Sequence, residues 1–266
     1  MAIEIFKNIA ESDLDKTVWR YLTFPKYISL LTYQALWFSK LNILRDEYEG
    51  FMPTKTAAEM LADFQKFKRV IDPALHQQID TMNEKNVEDG RELTVANCWF
   101  LADHESQTMW DEYAGGTEGV AIRSTIRLLS QSVNFDPRIT RIGRVQYVDL
   151  STHTMSHYEA NQAGERALLK KLEFSHEQEV RIVTMNFKGP MCVNMDGTVM
   201  QPKDYQGAKM NNFENRGLYI QTNLRKLITS MVLAPGAETW FELLVKRIVQ
   251  LSRLDYKVER SKLERR

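Results

Sequence analysis

Three short apolar runs, at residues 95–101, 119–122 and 180–184, constrain the fold of this chain more than any other feature. Each run is too apolar to lie exposed, so we expect the three to be strands of one sheet. Other strand-like segments are joined to them sometimes by helices and sometimes by hairpins. The chain is therefore predicted to be a single α+β domain over residues 1–266, with a central mixed, mostly antiparallel sheet covered by helices.

The connections between these runs carry helix and turn signals. Thr56 and Glu59 have the spacing of a capping box at the start of a helix. Asp196 and Gly197 stand between two strand-like segments and predict a hairpin turn. Apolar and polar periodicity predicts helices over residues 24–31, 57–67, 106–114, 157–173 and 240–251.

Charge and composition exclude several classes of protein. Lys and Arg together equal Asp and Glu, at 35 each, so no net charge draws the chain to nucleic acid or to an anionic membrane. No apolar run approaches the roughly 20 residues that a bilayer requires, and the N-terminus lacks the pattern of a signal peptide. The two cysteines, Cys98 and Cys192, fit buried thiols in a reducing compartment. A soluble cytoplasmic protein is expected.

One strand-like segment carries an unusual density of charge. In His-Glu-Gln-Glu-Val-Arg-Ile-Val, residues 176–183, strand alternation predicts that Glu177, Glu179 and Arg181 share one face. Either these side chains pair with each other and with basic neighbours, or they line a polar cleft that holds a ligand. Both interpretations remain open from the residues alone.

The familiar catalytic and cofactor motifs are missing from the sequence. There is no phosphate-binding loop of the Gly-x-x-x-x-Gly-Lys-Ser/Thr type, no Gly-x-Gly-x-x-Gly before a helix, and no Gly-x-Ser-x-Gly elbow. His153 and His157 stand four residues apart, but no glutamate follows the first, so no metal site is predicted. Cys98 lies in an apolar strand and is interpreted as an inert core thiol.

Two further features of the sequence fit either a structural or a functional interpretation. Trp110 and Tyr113 are three residues apart and therefore share one face of the predicted helix 106–114, either as core residues or as the wall of a ligand pocket. The polar turn at residues 45–50 is either a solvated loop or a loop of a site.

A set of short motifs spreads over nearly the whole chain. Its segments are residues 19–24, 36–39, 45–50, 97–100, 109–114, 119–122, 145–147, 176–181 and 227–235. In this order they resemble domain of unknown function 2971, a bacterial and archaeal family of uncharacterised proteins. The resemblance runs from about residue 19 to residue 262 and implies family membership rather than a particular activity.

A second resemblance is to ADP-ribosyltransferases. Those enzymes place an Arg or His on an early strand, then a Ser or Tyr, then a Glu preceded two residues earlier by Gln or Glu. This chain has Arg20 with Tyr21, then Ser39, then Glu177 and Glu179 in that order. The resemblance implies that Glu179 is the catalytic carboxylate, that Glu177 positions the acceptor, and that NAD is the substrate. Ser39 departs from the family pattern because it lacks the Ser-Thr-Ser context.

Two hypotheses from different classes follow. In the first, a cleft for a nucleotide or another small molecule supports ADP-ribosyl transfer or NAD cleavage, in a toxin or phage-defence setting. In the second, the protein is a non-enzymatic regulatory or interaction protein, and the Glu-x-Glu-x-Arg strand is a structural ion-pair cluster. The first hypothesis requires Arg20, Ser39 and Glu179 to meet in one open cleft. The residues expected around that cleft are Arg20, Tyr21, Ser39, Trp110, Tyr113, Glu177, Glu179 and Arg181.

Overall fold

The computed structural model describes residues 6–77, 80, 90–133, 141–185, 212–213 and 216–264. The strands are β1 Phe6–Lys7, β2 Thr17–Leu22, β3 Ala35–Lys40, β4 Thr94–Leu101, β5 Val120–Thr125, β6 Arg141–Arg144, β7 Gln146–Val148, β8 Leu169–Lys171, β9 Glu179–Met185, β10 Asn212–Phe213, β11 Gly217–Gln221, β12 Ser230–Leu233 and β13 Lys257–Arg260. The α-helices are α1 Phe24–Tyr33, α2 Thr54–Lys68, α3 Gln107–Tyr113, α4 Ile126–Ser132, α5 His157–Ala160, α6 Ala163–Arg166, α7 Leu224–Leu227 and α8 Thr239–Leu251. Short 3-10 turns cover Glu11–Asp13, Leu41–Ile43, Pro73–Leu75 and Leu172–Glu177.

One large sheet organises the domain, with its strands in the order β1-β6-β9-β4-β2-β5-β12-β13 and a branch from β4 through β3 and β11 to β10. The three apolar runs are its strands β4, β5 and β9, which confirms that they share one sheet. Among the described strand pairs of this sheet only β1–β6 and β12–β13 are parallel. The predicted α+β class with a mixed, mostly antiparallel sheet is confirmed.

The sheet forks at its central strand, β4. Along one edge β4 pairs with β9 over most of its length. Along the other edge residues 100–101 pair with β2, whereas residues 95–96 pair with β3. From these contacts β2 continues along β5, and β3 continues along β11. The two branches therefore diverge on either side of residues 97–99.

The core lies on both faces of the sheet. On one face Trp99 and its apolar neighbours pack against buried residues of α1 and α8, such as Tyr27 and Phe241. On the opposite face Tyr21 and Phe100 pack against Trp110 of α3. This second face also carries the charged residues of β9, because Glu179 and Arg181 stand opposite Phe100 and Cys98 in the strand register.

Most local signals are confirmed where the structure describes them. Helices α1 and α8 match the predicted apolar stripes at residues 24–31 and 240–251. The Ser106 hydroxyl accepts a hydrogen bond from the Met109 amide at the start of α3. The helix ends before Gly115, whose φ of 74° favours glycine. Within the described ranges no helix is both long and apolar enough to cross a bilayer.

Two local predictions are wrong because tertiary contacts outweigh local preference. Thr56 does not cap α2, which begins at Thr54. The buried Thr56 hydroxyl instead accepts a hydrogen bond of 2.9 Å from the Met155 amide. The predicted long helix over 157–173 consists of two single turns, then β8, then a 3-10 turn. The buried Arg166 side chain donates hydrogen bonds to the Gly50 and Ala160 carbonyls, and these contacts favour the broken path over a continuous helix. The predicted 193–200 hairpin and Cys192 lie outside the described residues.

Candidate functional site

A cleft of about 680 Å³ opens beside the fork of the sheet. Of the eight residues that the sequence predicts for a ligand site, seven line this cleft and Trp110 does not. The seven are Arg20, Tyr21, Ser39, Tyr113, Glu177, Glu179 and Arg181. The fold therefore brings Arg20, Ser39 and Glu179 to one cavity from three separate strands.

Arg20 lies at the point where the two branches of the sheet separate. Its guanidinium donates to the Cys98 carbonyl at 3.1 Å and to the Trp37 carbonyl at 3.4 Å. The Asn97 side chain donates to the same Trp37 carbonyl at 2.7 Å. These bonds satisfy carbonyl oxygens that the diverging strands leave outside a ladder. Burial lowers the pKa of Arg20 to about 10.

The strongest charge pairing in the cleft centres on Arg181. Its guanidinium forms two parallel hydrogen bonds of 2.7 Å with the Glu49 carboxylate. It also bonds Glu179 at 2.6 Å through Nε and the Ala167 carbonyl at 2.8 Å. Arg181 is completely buried, and Glu49 is almost completely buried. Such a bidentate pair fixes the orientation of both groups.

Lys170 links this pair to the second glutamate of the motif. Its ammonium contacts Glu177 and lies 2.7 Å from Glu179 and 3.5 Å from Glu49. On the other side, the Tyr113 hydroxyl donates to Glu177 at 2.6 Å. We call Glu49, Lys170, Glu177, Glu179 and Arg181 the carboxylate network. It contains three carboxylates and two cations.

The two glutamates of the motif have opposite pKa shifts. Burial, a hydrogen bond with Glu179 and the charge of Glu179 together raise the pKa of Glu177 to about 7. Burial also opposes ionisation of Glu179, but the charges of Arg181 and Lys170 hold its pKa well below the usual value. Near neutral pH, Glu177 is therefore the carboxyl that gains or loses the proton, and Glu179 stays charged.

Glu177 reaches this network by a route that strand alternation does not predict. It ends a 3-10 turn rather than lying in β9, which begins at Glu179. Gln178 between them adopts a left-handed conformation with φ of 38°. The prediction that all three charged residues share one strand face is thus correct for Glu179 and Arg181 but wrong for Glu177. The turn brings the Glu177 carboxyl to the same cations.

The aromatic residues predicted for the site divide between core and cleft. Trp110 is only 2% exposed, packs edge-on against Tyr21 with ring centres 4.9 Å apart, and donates its indole N–H to Glu105. Tyr21 contacts the cleft but is mostly buried, and its hydroxyl accepts from the Ser106 amide. Tyr113, three residues along the same helix, faces the cleft. The structure therefore places Trp110 in the core.

Several cleft residues were missed by sequence reasoning. Glu49 belongs to the polar turn 45–50, where composition alone left a solvated loop and a site loop both possible. The sequence predicts that Lys170 lies on a polar helix, and nothing in its local context indicates burial beside two glutamates. Lys26 and Tyr219 carry no signal in the sequence, and Trp37 stands out there only as part of the family motif at residues 36–39. All three line the cleft beyond the network.

A second group of side chains forms the part of the cleft beside α1. Lys26 and Ser29 are three residues apart on this helix, and both line the cleft. The Ser29 hydroxyl shares a 2.6 Å hydrogen bond with the Tyr219 hydroxyl. The Tyr219 ring packs against Trp37, with ring centres 4.8 Å apart. Arg20 completes the group, which we call the Lys26 pocket.

Two other features near the cleft are poorly suited to chemistry: the Cys98 thiol as a nucleophile, and the cluster of Glu112, His176 and Glu177 as a metal site. Cys98 lines the cleft, but burial and the neighbouring Glu179 raise the pKa of its thiol, so it is a poor thiolate nucleophile. Among the described residues, Glu112, His176 and Glu177 place possible metal-ligand atoms within 4.8 Å of one another. Arg45 bonds Glu112 and Lys170 bonds Glu177, so both carboxyl groups already have a cationic partner in the protein.

The fold and the site define an α+β domain with a charged cleft in a forked sheet. Residues 109–182 match the model of one family, described as protein of unknown function (DUF2971). This segment includes Tyr113, Lys170, Glu177, Glu179 and Arg181, and over these residues the match confirms the family resemblance that the motifs indicate. No curated protein and no solved structure gives a significant match to the chain.

Proposed function

We propose that the cleft binds NAD and that the protein breaks the bond between nicotinamide and ribose, in a toxin or phage-defence setting. The observation that carries this proposal is the convergence of Arg20, Ser39 and Glu179 on one cavity. These residues match, in order, the three landmarks of the ADP-ribosyltransferase pattern. A cytoplasmic location goes with the proposal, because Cys98 suits a reducing compartment.

The reaction would need a negative charge at the ribose. As the glycosidic bond breaks, its electron pair leaves with nicotinamide and positive charge develops on the ribose carbon and ring oxygen. Water or an acceptor hydroxyl then attacks that carbon and loses a proton. A fixed carboxylate near this carbon stabilises the developing charge, and we assign that role to Glu179.

The protonation of Glu177 sets the total charge of the network. When Glu177 is protonated, two carboxylates balance Lys170 and Arg181. When Glu177 is ionised, three carboxylates exceed the two cations by one negative charge. An ionised Glu177 therefore supplies the net negative charge for the cation-like transition state, and it also provides a base for the proton of the acceptor.

The alternative is a non-enzymatic regulatory or interaction protein in which the network only stabilises the fold. The observation that favours it is the burial and complete pairing of Glu179, which is 5% exposed and bonded to Lys170 and Arg181. A buried carboxylate with two cationic partners leaves less of its charge for a ligand. Turnover decides between the two functions.

The test is nicotinamide release from NAD by the wild-type protein and by Glu179→Gln. This change keeps the side-chain volume but removes the charge, so we expect an activity loss of at least about a hundredfold with the fold intact. Glu173→Gln is the matched control, because Glu173 is an exposed glutamate in the turn just before the motif. Absence of turnover in the wild type, together with a lower melting temperature for Glu179→Gln, favours the structural alternative.

A further inference from the structure

The Lys26 pocket carries positive charge on two side chains, Lys26 and Arg20. In the part of the chain that the structure describes, neither Lys26 nor Arg20 has a carboxylate partner. Within the described ranges, the hydrogen bonds of the Arg20 guanidinium go to the backbone carbonyls of Cys98 and Trp37. Two cations on one cleft wall, with no carboxylate partner among the described residues, favour the binding of an anion.

The two cations also repel each other. Burial and the positive charge of Arg20 lower the pKa of Lys26. Burial alone lowers the pKa of Arg20. Both directions mean that the surroundings disfavour the charged forms. A negative group that contacts both side chains would reverse this penalty and would bind more tightly for that reason.

The walls of the pocket add features that a simple ion does not require. The half-buried rings of Trp37 and Tyr219 stand together with ring centres 4.8 Å apart. The hydroxyls of Ser29 and Tyr219 offer hydrogen-bonding groups beside them. Aromatic surface next to unpaired cations suits a ligand with a planar ring and an anionic group. At about 680 Å³, the cleft has room for a nucleotide.

We propose that the Lys26 pocket binds the phosphate of a nucleoside phosphate between Lys26 and Arg20, with the base against Trp37 and Tyr219. The inference deepens the proposed function, because it concerns how the same cleft holds the phosphates of the ligand. It rests on the proposed function only for the position of those phosphates, which lie away from the carboxylate network. Lys26, Ser29, Trp37 and Tyr219 thereby gain a role in recognition that none of the motifs assigned.

The experiment measures binding of ADP and of adenosine by calorimetry to the full chain. ADP should bind at least about tenfold more tightly than adenosine, because its phosphates make charge-assisted contacts. Lys26→Met should remove at least about tenfold of the ADP affinity and leave adenosine binding unchanged, whereas Lys26→Arg should retain ADP binding. Lys55→Met is the matched control, because Lys55 is an exposed lysine of α2 that does not line the cleft.

Several results overturn the inference. They are the absence of ADP binding to the wild type, equal affinity for ADP and adenosine, and an ADP affinity of Lys26→Met equal to that of Lys55→Met.

ADP has no nicotinamide ribose, so the result of the ADP binding experiment is separate from the test of the proposed function. ADP binding that depends on Lys26, without NAD turnover, supports the pocket and contradicts the transferase. NAD turnover with an unchanged KM in Lys26→Met supports the transferase and contradicts the pocket.

Discussion

The carboxylate network and the Lys26 pocket line the same cleft, but among the described residues only the cations of the network have carboxylate partners. In the network, Arg181 and Lys170 are buried with three carboxylates and bond them directly. In the pocket, Lys26 and Arg20 face the cleft with no carboxylate partner among the described residues. Charge density alone therefore does not identify a binding surface. What matters is whether the fold itself supplies the counter-charge.

The largest expected effect comes from breaking the network at Arg181. Among the described residues, Arg181→Met leaves the buried carboxylates of Glu49 and Glu179 with Lys170 as their one cationic partner. We expect the free energy of unfolding to fall by about 3 to 5 kcal/mol, the usual cost of leaving a buried charge unpaired. Urea denaturation measures the change. Arg127→Met, which removes an exposed ion pair with Asp15, should leave the denaturation midpoint unchanged. An equal response of the two variants would remove the distinction between network and surface.

Truncation of the core residue Trp110 measures the stability lost with packing, for comparison with the stability lost with the charge of Arg181. Trp110→Ala removes a buried ring from the face of the sheet that carries the network, and should lower the free energy of unfolding by about 3 to 5 kcal/mol. Its cost should not vary with pH, since no titrating group is removed. An unchanged melting temperature would mean that Trp110 is not a core residue and would reopen its role as a ligand wall.

The pH dependence of stability tests the shared proton of the network. Folding raises the pKa of Glu177 from its usual 4.5 to about 7, so the folded state holds this proton more tightly. The resulting stabilisation is complete below about pH 4.5 and is lost as the pH rises to 7. Each pH unit within this window removes up to about 1.4 kcal/mol. Glu179 stays ionised throughout, because its pKa lies well below 4.5.

Glu177→Gln is the comparison for this measurement, because the amide cannot ionise. The melting temperature of Glu177→Gln minus that of the wild type should increase as the pH rises from about 4.5 to 7. Parallel melting curves of the two proteins across this range would show that Glu177 does not carry the proton.

The smallest effect is expected from the pocket. Lys26→Met removes a cation that Arg20 repels, so the free energy of unfolding should stay within about 0.5 kcal/mol of the wild type or rise slightly. Thermal melting in phosphate-free buffer measures it. A clear destabilisation would show that Lys26 has a structural partner and would weaken the contrast between the two ends of the cleft.

Local sequence signals predicted much of the fold and many of the cleft residues. Strand β4, helix α1 and the Ser106 cap are predicted by the spacing of apolar residues and by the capping preference of serine. Both signals involve only a few neighbouring residues. The failure over 157–173 has the opposite origin, because buried contacts of Arg166 decide the path of that segment. Trp110 and Tyr113 share one face of the predicted helix, so the sequence does not distinguish their roles. Only their neighbours in the tertiary structure show that Trp110 is a core residue and that Tyr113 lines the cleft.

By itself the sequence determined the apolar strands, the helices at residues 24–31 and 240–251, and the chemical inventory of Arg20, Ser39, Glu177 and Glu179, because periodicity and residue type are local properties. The tertiary structure alone decided that β2 and β3 diverge beside β4 and that Lys170 and Glu49 join the motif. It also decided which glutamate holds a proton near neutral pH. These outcomes depend on burial and on charges brought together from distant parts of the chain, and pKa follows those surroundings rather than the position of a residue in a motif.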